Sequence, residues 1–426
     1  MAIQKKSEEL VYDAKSNFGL KGWWIIILTA LTMLTFTSVA TLSMNVVVQG
    51  KADELGVAYG TLIAFNTPAG IVGLFATLGL SSLATRFGLK KVHVLSLFAG
   101  ALSCIFWGMS NTVISYAIPV FFMFAFMSST ECVTGKMVAN WFPKKKGIAA
   151  GWATMGLNAA SLFMVTLLTT IYMKTGAIRN CMFFLAGLLT FMAVLTIVAY
   201  KEYPEQWGAY PDNNPNEKQE FEGKIETGWT TKKVFANKQT WLISVGVGMI
   251  AMTTFGYVSS VIPAMTMKGL SLQTALLMMT VTSVLGFIGS YFFGYIDQKL
   301  GTQKAAIILC IWLVVGIACF FIPGSLGAWG YVLLMGISIG ATNNYPISMT
   351  AQVFGRSGYG VAYGVVYLIK GVFQYLCYAI QGWSLDCFGS YNQAWLIMLI
   401  LCVISAVLFY MADLSPQKDP IETSKQ

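Results

Sequence analysis

Long runs of apolar residues follow one another along the chain, separated by short polar segments. An α-helix needs about 20 apolar residues to cross the hydrocarbon core of a bilayer, and these runs have that length. We therefore predict twelve membrane-spanning helices, six on either side of a polar stretch at 201–237. The predicted spans are Gly22–Ser43, Val57–Ala84, Val92–Met109, Thr112–Trp141, Gly147–Met173, Asn180–Tyr200, Thr240–Ala264, Leu272–Ile296, Lys304–Pro323, Ala328–Phe354, Tyr359–Leu385 and Ala394–Met411.

The spacing of the spans predicts an all-α membrane protein built from two six-helix bundles. The polar stretch between them is rich in Glu, Asp, Pro, Asn and Lys and lacks apolar periodicity, so we expect no packed domain there. The predicted divisions are a tail at 1–21, an N-terminal bundle at 22–200, a linker at 201–237, a C-terminal bundle at 238–411 and a tail at 412–426.

Composition and charge exclude a soluble protein and a nucleic-acid partner. Only 11% of the residues are charged, whereas soluble domains carry about 25%. We place 21 of the 27 lysines and arginines in alternate loops and the two tails, which by the positive-inside rule puts both termini in the cytoplasm. The sequence thus predicts a multi-pass, monomeric protein of the cell (inner or cytoplasmic) membrane. The other six cations are Lys51, Lys174, Arg179 and Lys268 on the opposite side, and Lys136 and Lys370 within spans.

Candidate catalytic and metal-binding residues are sparse. The eight cysteines form no CxxC pair, and the only histidine, His93, lies at the start of a span. The sequence contains no phosphate-binding loop and no nucleophile–base motif. We therefore expect no enzyme activity, no metal and no cofactor.

One short segment occurs once in each half. ANWFPKKKGIAAGWATMG (Ala139–Gly156) joins two apolar runs through a proline and three lysines, and VFGRSGYGVAYG (Val353–Gly364) repeats its aromatic, basic and glycine positions. Such a repeat is typical of a duplicated membrane bundle. Each copy has two glycines four residues apart, a spacing that favours close helix packing. They are Gly147 and Gly151 in the first copy, Gly360 and Gly364 in the second.

Lys370 lies near the middle of the eleventh predicted span, where a charge costs about 3 to more than 10 kcal/mol. Tyr367 and Gln374, at i−3 and i+4, share its helical face. A cation between two hydrogen-bonding side chains is a candidate receptor for a carboxylate. The alternative is a structural ion pair with Glu131, and the two interpretations are compatible.

Glu131 is the acid that lies deepest in a predicted span, ten residues before Trp141. Burial raises the pKa of a carboxyl group toward neutrality, so Glu131 is the candidate proton carrier. The alternative is permanent neutralisation by Lys136 or Lys370. Lys136 lies only five residues from Trp141, so we expect its stem to reach the cytoplasmic headgroups.

Further polar residues within spans are candidates for lining a cavity with Lys370, or for joining helices to one another. Asn343 and Asn344 precede a proline and are expected to interrupt the tenth span. The candidates are Asn158 in the fifth span, with Thr154 and Ser161 on the same face, Tyr257 in the seventh span, with Thr253, and Asn343 and Asn344.

Two loops resemble a known motif. SSLATRFGLKK (Ser81–Lys91) and GYIDQKLGTQK (Gly294–Lys304) are similar to the G-x-x-x-D-R-x-G-R-K loop of the major facilitator superfamily of transporters. This resemblance implies two pseudo-symmetric six-helix halves with a substrate site between them, exposed to each side in turn. It also implies that the loops form a charge latch on the cytoplasmic side, carried here by Arg86, Lys90, Asp297 and Lys304.

The first loop departs from the family pattern. Thr85 stands where the family has an acid, and in the second loop Gln298 replaces the usual arginine. A latch that depends on the acid is therefore expected to be weaker in the N-terminal half.

The hinge WFPKKKG and the segment YPEQWGAYPDN (Tyr203–Asn213) resemble the organic-anion branches of the superfamily, particularly the oxalate/formate exchanger-like group. In that group a lysine of the eleventh span is implicated in anion binding, and dicarboxylate carriers add a cation in the eighth span. The predicted eighth span, Leu272–Ile296, has no Lys or Arg, so the resemblance favours a monocarboxylate.

The sequence thus predicts a proton-coupled transporter of a small organic anion, with Lys370 holding the carboxylate and Glu131 exchanging the proton. The expected partners are this anion, protons and the lipid bilayer. Two alternatives stay open: carboxylate exchange without proton coupling, and uptake of a bulky amphipathic acid such as a bile acid. A membrane sensor is disfavoured because the linker is too short for a signalling domain.

Overall fold

The structure, a computed structural model, describes residues 16–57, 62, 65–215 and 227–420. Its helices repeatedly end at a glycine in the left-handed conformation, which a residue without Cβ adopts at no steric cost. Gly56, Gly176 and Gly389 close the first, fifth and eleventh spans in this way. Proline ends the fourth span as the sequence predicts, since its helix stops at Trp141, two residues before Pro143.

Within the described ranges, eight spans are single helices. They are Asn66–Phe87, Leu89–Gly108, Lys146–Thr175, Ile178–Ala199, Lys238–Met267, Leu272–Leu300, Thr302–Phe320 and Asn392–Met411.

The other four spans are interrupted. The first consists of Gly19–Thr37, a π-helical turn at Ser38–Leu42, and Met44–Leu55. The fourth consists of Val113–Met127 and Ser129–Trp141. The tenth and eleventh share Gly324–Thr342 and Asn344–Phe388.

Within the described residues, eleven continuous runs are long and apolar enough to cross a membrane. One of them, Gly324–Leu385, has 62 residues and is too long for one crossing. Its backbone leaves the helical conformation at Gly355, with φ 60° and ψ −166°. Two residues on either side of this break, Asn343 and Lys370, line the same cavity. The chain must therefore reverse its direction at Gly355. This run therefore supplies the tenth and eleventh spans, and the predicted twelve-helix fold is confirmed.

The first span is longer than predicted. Its helix continues beyond Ser43 to Leu55 and includes Lys51, which the sequence places in a loop. The Lys51 side chain is only 2% exposed, because its ammonium donates to the carbonyl oxygens of Gly108 at 2.9 Å and Ser110 at 3.1 Å. A satisfied cation lets the helix extend through polar sequence. The second span contains the helix Asn66–Phe87, and the residues after its predicted start at Val57, 58–61 and 63–64, lie outside the described ranges.

Each half has its own hydrophobic core, one containing Trp107 and Trp141, the other Tyr331 and Trp395.

The two faces of the protein need names. We call the face that carries residues 16–18, the linker and residue 412 onward the terminal side, and the other face the opposite side.

The first part of the linker is more ordered than the sequence predicts. It forms short 3-10 helices at Pro204–Trp207 and Pro211–Asn213. The Asp212 carboxylate accepts the backbone N–H groups of Lys144 and Lys145, both at 2.9 Å. These amides directly precede the helix of the fifth span, which begins at Lys146. Asp212 thus fixes the linker to the hinge.

Candidate functional site

A cavity of about 240 Å³ lies between the two halves, near the middle of the spans. Seven spans contribute to it: the first, second, fourth and fifth from one half, and the seventh, tenth and eleventh from the other. Its position between the halves matches the place where the family resemblance puts a substrate.

Lys370 is the charged side chain among the described residues that line this cavity. It is 3% exposed, and its ammonium lies 5.4 Å from the centre of the Tyr367 ring. Tyr367 and Gln374 line the cavity beside it, as their spacing on the eleventh span predicts. Asn158 and Asn343 complete the predicted residues at the cavity, and Ser161 lies with Asn158 on the fifth span.

Four predicted residues do not line the cavity: Tyr257, Asn344, Thr154 and Thr253. Tyr257 is fully buried in the C-terminal half, where its hydroxyl is 2.5 Å from the Thr282 hydroxyl and its ring packs edge-on against Tyr331. The seventh span instead presents Thr254 and Phe255 to the cavity. The spacing of hydroxyl groups along the seventh span does not show which face of this helix lines the cavity, because both of its faces carry polar residues.

Asn344 is the second residue outside the cavity. The tenth span does break at Asn343, as the sequence predicts. Asn344 is buried, accepts a hydrogen bond from the Thr154 hydroxyl and donates to the Ser290 carbonyl oxygen at 2.8 Å. Asn158 also bonds across the interface, donating to the Ser290 hydroxyl at 3.0 Å. The fifth span is thus joined to the eighth and tenth beside the cavity.

Aromatic side chains form much of the remaining wall. Phe36, Phe124, Phe255 and Tyr375 all line the cavity. The sequence indicates many aromatic residues but not which of them face inward, because periodicity alone does not separate lipid-facing from cavity-facing positions in a helix that is apolar on all sides.

Glu131 and Lys136 lie on the helix Ser129–Trp141. The side chain of Glu131 lies outside the part that the structure describes. Lys136 is 4% exposed, and its ammonium lies 3.2 Å from the point where a Cβ on Gly360 of the other half would stand. The expectation that Lys136 reaches the headgroups is therefore wrong: its side chain is buried between the fourth and eleventh spans.

The repeated glycines bring the halves together on the terminal side. A Cβ on Gly151 would lie 2.7 Å from the Ser290 carbonyl oxygen, and a Cβ on Gly360 would lie 2.8 Å from the Thr85 hydroxyl. The fifth span thus meets the eighth, and the eleventh meets the second, through glycines of the repeated segment. These contacts close the terminal side of the cavity, and they need residues without side chains.

Of the four predicted gating residues, Asp297 contacts the other half. Its carboxyl group is buried, accepts the Thr302 hydroxyl at 2.7 Å and lies against Gly147. Lys90 donates to the Ile197 carbonyl oxygen at 2.6 Å within its own half. Arg86 and Lys304 are exposed.

An ion pair that the sequence does not reveal crosses the same side. Arg356, at the start of the eleventh span, binds both carboxylate oxygens of Glu205, each at 3.2 Å, and both side chains are buried. The guanidinium also lies over the Tyr203 ring, 5.3 Å from its centre. Burial raises the pKa of Tyr203 to about 12, so the ring stays neutral at physiological pH. Glu205 lies in the segment that resembles the organic-anion branches, and Arg356 lies in the second copy of the hinge. Only folding brings these two segments together.

Comparison with known proteins gives one family. The model of the Major Facilitator Superfamily matches residues 23–374. The oxalate:formate antiporter of Oxalobacter formigenes is 20% identical over 406 residues, covering 92% of each chain. Monocarboxylate transporter 12 of Xenopus laevis is 24% identical over 299 residues, and that match spans 65% of this chain but only 64% of the relative.

The fold has close counterparts among solved structures. A crystal structure of the Escherichia coli fucose:proton symporter superposes with a TM-score of 0.70 at 14% identity, covering 92% of this chain and 99% of that one. At this identity the likeness concerns the fold alone.

Proposed function

Because the chain belongs to the Major Facilitator Superfamily, whose members are transporters and not enzymes, we propose that it carries a small organic monocarboxylate across the membrane by alternating access. Lys370 holds the carboxylate in the cavity between the halves. The contacts of the terminal side separate when the halves rock, and the carboxylate then leaves toward that side.

The observation that carries this proposal is the charge of the cavity. Among its described lining residues Lys370 is the one ionised side chain, and hydrogen-bond donors such as Tyr367, Gln374 and Asn158 surround the same space. A buried cation in a membrane is costly, and an anionic substrate offsets that cost. One cation matches one carboxylate, which favours a monoanion over a dianion. The names of the two relatives are consistent with this substrate class.

The size of the cavity favours a small substrate. Its volume of about 240 Å³ lies below the range of about 300–1,000 Å³ that is usual for drug-sized ligands. This disfavours a bile acid, although the aromatic wall suits a substrate with an apolar part.

Exchange without proton coupling is the second candidate. It is favoured by the Oxalobacter formigenes relative, whose name describes an antiporter and whose match covers 92% of each chain. Proton-coupled symport with Glu131 as the carrier is the first candidate, because Glu131 lies on the helix Ser129–Trp141, well inside the fourth span. We further propose that the terminal side faces the cytoplasm, since most of the cations lie there.

Counterflow in proteoliposomes tests the function. Vesicles loaded with unlabelled formate, lactate, pyruvate or benzoate are diluted into a trace of the same labelled acid, with fucose and choline as neutral and cationic controls. We expect transient accumulation of one class of carboxylate. Accumulation of fucose or choline alone would contradict the anion proposal and leave the fold unaffected. A pH gradient applied to the same vesicles separates symport from exchange.

A further inference from the structure

Lys136 is a second buried cation between the halves, and its ammonium lies beside Gly360 of the eleventh span. Gly360 precedes Lys370 by ten residues, so at about 1.5 Å per residue the two lysines are about 15 Å apart along this span. It lies on the terminal side of the cavity, next to the glycine contacts that close this side. In the closed arrangement it is therefore shielded from solvent, as its 4% exposure shows.

A row of tyrosines runs along the eleventh span from Tyr359, next to Gly360, to Lys370. The rings of Tyr359 and Tyr363 stack at 5.2 Å with an interplanar angle of 16°, and those of Tyr363 and Tyr367 at 6.2 Å with an angle of 30°. Lys370 lies over the last ring of this row. The residues recur every three or four positions, so one face of the eleventh span carries them all.

The other end of this row, Tyr359, packs against a glycine of the fourth span, Gly135. A Cβ on Gly135 would overlap the Tyr359 hydroxyl, and a Cβ on Gly360 would crowd the Lys136 ammonium. Both glycines lie where one half contacts the other. When the halves separate on this side, Lys136 and Tyr359 lose their cover and face the newly opened space.

We propose that Lys136 is a second carboxylate-binding residue, which receives the anion from Lys370 along the tyrosine face once the terminal side opens. This inference rests on the proposed function. It explains why a cation is retained at an interface that has to open and close. On the opposite side of the cavity, by contrast, the anion reaches Lys370 without passing Lys136.

The test compares the two faces of the protein. Full-length protein is reconstituted in a single orientation. Exchange of labelled formate, lactate, pyruvate or benzoate, whichever the wild type exchanges, is then measured with the concentration varied on one face at a time. Lys136→Gln is expected to raise the half-saturation concentration on the terminal side about tenfold, the loss expected for one charge-assisted hydrogen bond. The value on the opposite side stays within twofold of wild type. Lys136→Arg keeps the charge and is expected to restore much of the terminal-side affinity.

Lys299→Gln is the matched control, because it removes an exposed lysine outside the cavity and the interface. Equal changes on both faces in Lys136→Gln would overturn the inference and indicate a general effect on the fold or on the cycle. Restored exchange in Glu131→Gln/Lys136→Gln would also overturn it, since Lys136 would then be the structural counter-charge of Glu131. If the wild type exchanges none of formate, lactate, pyruvate and benzoate, the proposed function fails and this inference with it.

Discussion

Arg356 and Glu205 are 151 residues apart in the chain, yet their side chains form a two-point ion pair in which both N···O distances are 3.2 Å. Glu205 follows the sixth span and Arg356 opens the eleventh, so the pair joins the two halves. The first gating loop has Thr85 in place of the family's acid. An ion pair is nevertheless present on the terminal side, with its acid supplied by the linker.

We expect Glu205→Gln to open the terminal side. A hydrogen bond to a charged group contributes about 1.5–3 kcal/mol, and each 1.4 kcal/mol changes an equilibrium tenfold. The ratio of the two conformations should therefore shift at least tenfold. Spin labels at the exposed positions Lys91 and Lys238, after replacement of Cys319 and Cys387, would report a longer distance.

The swapped double variant Glu205→Arg/Arg356→Glu is the control for this ion pair. It keeps both charges and should recover part of the short distance. An unchanged distance distribution in Glu205→Gln would show that the glycine contacts suffice to hold the terminal side closed.

Lys370→Gln should abolish carboxylate binding while the protein still folds. A ligand that binds only the folded state adds about 2.7 kcal/mol of stability at one hundred times its Kd. Wild-type protein should therefore show a rise in melting temperature with the transported acid, and the variant none. Lys299→Gln serves as the control, because this exposed lysine lies outside the cavity. Wild-type uptake by Lys370→Gln would exclude the proposed site.

Glu131→Gln should retain exchange of the carboxylate but lose accumulation driven by a pH gradient. The amide has nearly the same shape as the acid and cannot release a proton. Uptake and counterflow in one set of vesicles measure both properties. Undiminished accumulation would place the proton elsewhere or exclude coupling.

Gly151→Ala should impair closure of the terminal side. The added methyl group would stand 2.7 Å from the Ser290 carbonyl oxygen and 3.1 Å from the Gly294 Cα atom. Overpacking of this kind costs about 1–3 kcal/mol. The labels at Lys91 and Lys238 should separate, and transport should slow. Gly187→Ala is the matched control, since nothing lies within 4 Å of its Cβ position; equal effects of both variants would point to helix propensity.

Much of the fold could be predicted because its causes are local. A bilayer requires apolar runs of a set length, so the number of spans follows from the sequence. The repeated hinge likewise indicates the duplication, and its glycines do mark the contacts between halves. The helix face shared by Tyr367, Lys370 and Gln374 follows from the 3.6-residue period.

The tertiary structure alone decided which polar residues meet. Tyr257 and Asn344 have the same local pattern as Asn158, but the rotation of each helix turns them into packing contacts and turns Asn158 toward the cavity. Lys136 is close enough to a span end to reach the headgroups, yet the eleventh span covers it. The Arg356–Glu205 pair has no local signal at all, because one partner lies in the linker and the other in the eleventh span. Sequence determines how each helix crosses the membrane, whereas contacts between helices depend on docking free energies that no single segment contains.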